Sequence, residues 1–493
     1  MRSMKTRWKL LLIVIGALLL RLALLVFVDH PGIADPNHYY NLGLRLVEGH
    51  GLTIDYIWQY FGPPPALVHA EDHWMPLAGI LAAVGFTLFG EHLLGGLSLF
   101  ILMGALIPLA GYAAARQFEL REGTALFCAA AAGLLPEFVL NSLRTDTTIP
   151  NVLFITISVL LLGYGLHNTS IPGWKRALAF AGSGLMGGLA YLTRSDSLLL
   201  LPMLVVLLLL IARFEGRGLR GTGHVWLMPV VLLLVALPLW LNNQHTLGHP
   251  LPTGTSAMFF YADVLDHWAY GGTFTLQTLL ERQTLPQLFG KRLFELAAAF
   301  KLMYTTLDVL LPVAVLGGAL LLTLSRDRRR LLRFAPTLIL LIGIVIAYPL
   351  LIPYKSQSGS FKKAYLTLIP LLLPLAGVAL ERAISQARLR AGTMLLALVF
   401  LTANAIELVR ADARMTNTYA ATMQQAAQAA LTLPDTNGDG QIVLMAQDQF
   451  MLRYFGVRSI MLPMNDRDTI LAVARRYGAD YLMMPPDRPA LDP

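Results

Sequence analysis

Residues 8–40 read WKLLLIVIGALLLRLALLVFVDHPGIADPNHYY, and the change of character at position 29 decides the fold. Residues 8–28 carry only Lys9 and Arg21 as charges. At ~1.5 Å per residue the run is long enough to cross the ~30 Å hydrocarbon core of a bilayer. Arg2, Lys5, Arg7 and Lys9 flank its start and are expected to stay on the cytoplasmic side. The run is longer than the roughly 7–15 residues of a signal-peptide core, and no small-x-small site follows, so it reads as an uncleaved first span. Residues 29–72 are rich in carboxylates, aromatics and His, with Arg45 as their one Lys or Arg. They should emerge on the outer face, and Asp35 is the first candidate for a catalytic carboxylate there.

The rest of the chain has the same character. Of 493 residues, 56% are hydrophobic and 14% charged, which excludes an ordinary soluble domain. The net charge of +8 does not indicate a nucleic-acid partner, because the basic residues cluster in short loops between apolar runs. Cys128 is the only cysteine, so no intrachain disulfide forms.

Candidate spans are 8–28, 96–115, 124–141, 149–167, 177–192, 197–212, 224–241, 302–324, 334–352, 364–382 and 391–409. The further apolar run 76–89 reaches only about 21 Å and reads as interfacial or re-entrant. Charge parity supports this. If 76–89 does not cross, the loops 116–121, 175–176, 213–220, 326–333 and 382–390 all lie inside, and all are basic. If it crosses, Arg326, Arg328, Arg329 and Arg330 face outward. The expected fold is therefore a polytopic α-helical membrane protein of about eleven transmembrane helices. Loop 29–95 lies outside with its interfacial helix, as does a long loop 242–300, whose length suggests function. No internal repeat of the inverted-transporter kind is visible.

Beyond 409 the pattern alternates: helix 420–431, strand 441–446, helix 449–455, strand 459–462, helix 468–477 and strand 481–484. This predicts a small C-terminal α/β domain, 410–493, after a transmembrane domain, 1–409. It has no Walker A loop and no dinucleotide glycine fingerprint. Residues 435–442, DTNGDGQI, match the start of a calcium loop, but position twelve is Ala446 where a bidentate acid is required. A turn leading into the strand is the expected structure.

The candidate chemistry lies on outer loops. Asp35 follows the first span, Glu71 and Asp72 precede the interfacial helix, Asp146 precedes the fourth span, and Asp196 lies in a turn with Arg194. Any one of these is an ordinary solvated carboxylate on the bland reading. Asp35 and Asp146, at helix ends near the interface, carry a functional reading. A carboxylate accepts a hydroxyl proton as charge develops in group transfer. Lys355, Lys362 and Lys363 break the charge asymmetry of the outer side and are candidates for a phosphate contact, against simple snorkelling. Arg194, Arg144 and Arg292 are weaker candidates for the same role. Glu71, Asp72 and His73 are weak candidates for a divalent cation (Mg, Mn or Zn), since no strong metal motif is present.

Several motifs together resemble the bacterial GT-C superfamily of membrane glycosyltransferases, the group of protein O-mannosyltransferases and lipid A aminoarabinose transferases. They are Asp35 with Tyr39 and Tyr40 behind it, His73-Trp74-Met75-Pro76-Leu77, Asp146 before a span, and Gly188-Leu189-Ala190-Tyr191-Leu192-Thr193-Arg194. Lys363-Ala364-Tyr365-Leu366 and Ala479-Asp480-Tyr481-Leu482 complete the set. The resemblance implies a hexosyl or pentosyl transferase of inverting type, using a polyprenyl-phosphate-linked sugar donor and a hydroxyl acceptor on a glycan, lipid or protein. Asp35 would be the general base, Asp146 would lie beside the acceptor or a cation, and the lysines would meet the lipid phosphate. It places the protein in a bacterial cytoplasmic membrane, with active site and C-terminal domain on the extracytoplasmic face. Three departures stand out. Ala364-Tyr365 replaces the Arg-Tyr pair of many relatives, Met75-Pro76 replaces a double proline, and Pro36 replaces the second acid of the protein mannosyltransferases.

Two other classes compete with this reading. A transporter or flippase of a lipid-linked substrate would place charges or broken helices at mid-membrane, whereas the acids here lie near span ends. A scaffold would leave the long first loop without a purpose.

Overall fold

The computed structural model describes residues 2–60, 62–168, 170–215, 223–252, 257–308, 310–352, 357–438 and 440–484. Lys355 and Asp439 fall outside them. Seven helices are long and apolar enough to cross a membrane, and ten segments are if each of three bent helix pairs counts once. The bent pairs fall on the expected spans 124–141, 302–324 and 364–382. The first breaks by 48° between Glu122–Leu134 and Pro136–Ser142, because Pro136 has no N–H to continue the hydrogen-bond ladder. The second separates Leu285–Thr306 from Leu310–Leu324. The expected single span 302–324 is thereby corrected to the end of one helix and the whole of another. The expected span 177–192 lies within the 21-residue helix Gly173–Thr193, which is outside the set of ten. Leu77–Phe89 is a 13-residue apolar helix, about 20 Å long.

Outward faces of these helices are apolar. Leu12 is 66% exposed, and Leu396 equally so, as a surface that meets hydrocarbon requires. Inward, small residues bring helices close. Gly104 is one such point, since a Cβ there would strike Ser142 Oγ and the Arg21 guanidinium.

Ion pairs join the basic loops at one end of the bundle. Lys9 lies 3.7 Å from Glu122, Arg329 and Arg333 lie 2.8 and 3.1 Å from Glu119, and Arg382 lies 3.6 Å from Asp327. The helix Arg2–Leu24 starts at this end and the helix Leu93–Gln117 finishes at it. The chain between them therefore makes no net crossing, and Leu77–Phe89 stays at the opposite end.

The loop 242–300, expected as a long outer segment, contains the helix Leu276–Arg282 and most of Leu285–Thr306. The last span and the first tail helix, read separately in the sequence, form one unbroken 45-residue helix, Ala387–Leu431. After it come β3 (Val443–Ala446), Gln449–Tyr454, β4 (Arg458–Met461), Arg467–Tyr477 and β5 (Tyr481–Leu482). The three strands are parallel in the order β4-β3-β5, and Ile57 of the first loop bridges the outer edge of β4. That loop holds its own two-residue pair, β1 (Thr53–Ile54) with β2 (His69–Ala70). Asp55 ties the two regions further, with Arg453 Nε at 2.8 Å and Arg45 at 3.2 Å.

Candidate active site

Asp35 opens the helix Asp35–Val47, with Pro36 supplying the fixed φ favoured in a first turn. The residue before it, Ala34, has φ +59°, a strained setting for a side-chain-bearing residue, costing about 1–3 kcal/mol. The loop 143–147 is laced to this corner. Thr145 donates its hydroxyl to Pro36 O at 2.5 Å and its amide to Pro31 O at 3.3 Å, while Arg144 pairs with Asp412 at 2.5 Å. The bent helix Pro136–Ser142 feeds the loop, and Arg21 fixes the bend. Its guanidinium donates to Gly133 O, left over by the break, at 3.0 Å, and to Ser142 Oγ at 3.0 Å.

The outcome is a three-residue charge cluster. Lys363 Nζ donates to Asp35 Oδ2 at 2.9 Å and to Asp146 Oδ2 at 2.5 Å. The two carboxylates differ. Asp146 is 2% exposed, and its other oxygen accepts the Thr148 amide (2.8 Å) and hydroxyl (2.6 Å). Burial pushes its pKa up, but Lys363 and Thr148 outweigh burial and hold it down at about 2. Asp35 is 37% exposed, and its Oδ1 takes no hydrogen bond among the described residues.

A second charged group adjoins. Arg194 Nη2 donates to Asp196 Oδ2 at 2.7 Å, to Tyr348 Oη at 3.1 Å and to Ser360 O at 3.1 Å, three residues before Lys363. Tyr348 donates to Asp196 Oδ2 at 2.6 Å. Tyr39, fully buried, lies within electrostatic reach of Asp35, Asp146, Arg194 and Glu71, and burial raises its pKa well above the ordinary value.

Glu71 and its neighbours stand one helical turn from Asp35, across His38. Glu71 Oε1 accepts the amides of His73 (2.9 Å) and Trp74 (2.7 Å), and Oε2 lies 3.3 Å from His38 Nε2. Burial and Asp72 raise Glu71 to about 8, and burial drives His38 well below its usual value. The contact at neutral pH is therefore between an uncharged acid and an uncharged ring. Asp72, raised by burial to about 6, accepts from Gln59 at 3.4 Å, and burial lowers His73 to about 3.

The other sequence candidates separate. Lys362 pairs with Glu137 at 2.6 Å. Tyr40 packs on Phe86 and Tyr454, and Tyr365 is buried with its hydroxyl on Met303 O, so both serve packing here. Arg292 Nη1 is taken by the carbonyls of Pro349 and Ile352. Among the described residues no three His, Cys, Asp or Glu side chains are grouped to hold a metal ion. The Glu71, Asp72 and His73 set does not fit a cation, because its carboxylates are already turned to Gln59, backbone amides and the His38 ring. In the calcium-like loop, Asp435 accepts the amides of Asn437, Gly438 and Gly440, the bonding of a turn. Glu137, Thr148 and Tyr348 were not read as site residues. Only Glu137 carried a signal, an acid inside an apolar run.

Comparison with known proteins agrees with the resemblance drawn from the motifs. The family model described as dolichyl-phosphate-mannose-protein mannosyltransferase matches residues 70–241. An undecaprenyl phosphate-alpha-4-amino-4-deoxy-L-arabinose arabinosyl transferase of Pseudomonas paraeruginosa is 30% identical over 247 residues, 48% of this chain and 40% of the relative. The matched segment thus spans well under half of that curated relative. In structure, ArnT from Cupriavidus metallidurans bound to undecaprenyl phosphate superposes with a TM-score of 0.59 at 18% identity, over 97% of this chain and 90% of that one. The Archaeoglobus fulgidus oligosaccharyltransferase gives a TM-score of 0.59 at 13% identity, over 96% of this chain and 69% of that one. The chain shares its fold with these two proteins.

Proposed function

We propose that the chain is a membrane glycosyltransferase that moves a sugar from a polyprenyl phosphate to an acceptor hydroxyl, with Asp35 as general base. The observation that carries the reading is the ammonium of Lys363 between Asp35 and Asp146. It joins an accessible carboxylate, able to take a proton, to a cation able to meet a phosphate. In the reaction the acceptor oxygen bonds to the sugar C1 as the C1–O bond to phosphate breaks. The electron pair leaves on the phosphate oxygen, the hydroxyl proton passes to Asp35, and C1 inverts. Asp146, held ionised, fixes Lys363.

Tyr39, Arg194 and Asp196 adjoin the charge cluster and are proposed to bind substrate, as are Glu71, Asp72 and His73 beyond His38. Lys362, next to Lys363 in the chain and paired with Glu137, belongs to the same cationic side. The site faces the extracytoplasmic side of a bacterial cytoplasmic membrane, since the basic loops gather at the opposite end. The segment 410–493 is its extracytoplasmic α/β part, built onto the transmembrane segment 1–409.

The test is transfer of radiolabelled sugar from polyprenyl-phosphate donors in membranes, wild type against Asp35→Asn. Loss of at least about 100-fold is expected for removal of a general base. Transfer at the wild-type rate in the variant sinks the assignment.

A further inference from the structure

We infer that Lys363 is a moving counter-charge: anchored on Asp146, it exchanges Asp35 for the leaving phosphate as the acceptor proton arrives on Asp35. This rests on the reading of the site as a polyprenyl-phosphate sugar transferase. What it adds is the coupling between proton transfer and leaving-group stabilisation, through one ammonium.

The argument starts from the inequality of the two carboxylates. Asp146 is buried, has one oxygen held by Thr148, and lies 2.5 Å from Nζ. Asp35 is half-exposed, lies 2.9 Å from Nζ, and keeps its second oxygen open to an incoming group. Of the two, Asp146 is built to stay and Asp35 to change. An ammonium has three N–H donors, and two are in use, so one remains for a third anion without breaking the anchor. While Oδ2 of Asp35 is held by Lys363, only Oδ1 is open to the acceptor hydroxyl.

Charge balance makes the exchange a consequence of the chemistry. Before transfer, the phosphodiester donor carries one negative charge, as do Asp35 and Asp146, against one positive charge on Lys363. After transfer, the proton has neutralised Asp35 and the released phosphate monoester carries two negative charges. The total is unchanged, and one unit of negative charge has moved from Asp35 to phosphate. Lys363 follows it, which stabilises the leaving group at the moment the base loses its need of a partner.

A counter-intuitive consequence gives the test. Asp35→Asn imitates the base after it has taken the proton, so Lys363 should then be free for phosphate. Binding of undecaprenyl phosphate to the purified full-length protein is measured for wild type, Asp35→Asn, Lys363→Met and the double variant. We expect Asp35→Asn to bind at least about fivefold tighter than wild type, the low end of ordinary coupling between sites. The gain should vanish when Lys363→Met is also present. Binding unchanged or weakened by Asp35→Asn overturns the inference, and so does a gain that survives Lys363→Met. Wild-type protein that fails to bind undecaprenyl phosphate defeats the transferase reading itself, a separate result. Asn is isosteric with Asp at a half-exposed position, and a wild-type-like melting profile confirms that each variant is folded.

Discussion

Asp146→Asn tests the buried anchor through stability as well as activity. In the folded protein its carboxyl is held at about 2, against the ordinary 3.8. At about 1.4 kcal/mol per pH unit, that difference is worth roughly 2 kcal/mol of folding free energy at neutral pH. Asp146 is almost wholly buried, so solvent does not screen the term away. The sign follows from the direction. A lowered pKa stabilises above 3.8, and the contribution is lost as pH falls from there through about 2. The amide oxygen of Asn can still take the Thr148 bonds, so the substitution removes chiefly the charge facing Lys363. Unfolding of the full-length protein in detergent, followed by intrinsic fluorescence, should show the variant roughly 2 kcal/mol less stable at pH 7. The gap to wild type should shrink between pH 4 and pH 2. A variant as stable as wild type at pH 7, or a gap independent of pH, would refute the charge-anchored geometry.

Two further predictions use other parts of the molecule. Glu71, raised from 4.5 to about 8, has the opposite sign. It costs nothing below pH 4.5 and about 3 kcal/mol at pH 7, so Glu71→Gln should stabilise the protein at pH 7 and flatten its stability between pH 5 and 8. A less stable Gln variant across that range contradicts the neutral His38–Glu71 contact. For topology, Arg328→Cys should react with a membrane-impermeant maleimide only after permeabilisation, while Thr436→Cys should react in intact cells. The native Cys128 is buried and should stay silent. Labelling of Arg328→Cys in intact cells reverses the orientation.

Much of this arrangement is legible in the sequence, for reasons that can be named. Apolar runs and basic loops report on the bilayer, so the end of the bundle at which each loop lies follows from parity. After the first tail helix, the tail's strands and helices fall within about two residues of their expected bounds because short apolar strands alternate with amphipathic helices. Less is legible where order depends on partners distant in sequence. Nothing between Val409 and Ala420 says that the last span and the first tail helix are one rod, since an apolar helix gives way to a polar one there. The break between Thr306 and Leu310 lies in an apolar stretch whose composition suits one span. The site shows the same limit. Asp35, Asp146 and Lys363 were each candidates, yet the pairing of Lys362 with Glu137 and of Tyr348 with Asp196 depends on bends that periodicity does not report.

The division of labour between two identical residue types is where structure adds most. Asp35 and Asp146 are both aspartates beside helix starts, and no local motif distinguishes a base from an anchor. Burial does. Asp146 pays its desolvation through Lys363 and Thr148 and is thereby locked as an anion. Asp35 sits after a strained Ala34, with an oxygen free and a third of its surface open. Strain at Ala34 persists because the laced loop over-determines it, through Thr145 on Pro31 and Pro36 and Arg144 on Asp412. The same lacing sets the distance between the two carboxylates, which one ammonium must span. Loosening it should therefore harm transfer before it harms folding, because the bundle survives a shift of an ångström and a shared proton donor does not.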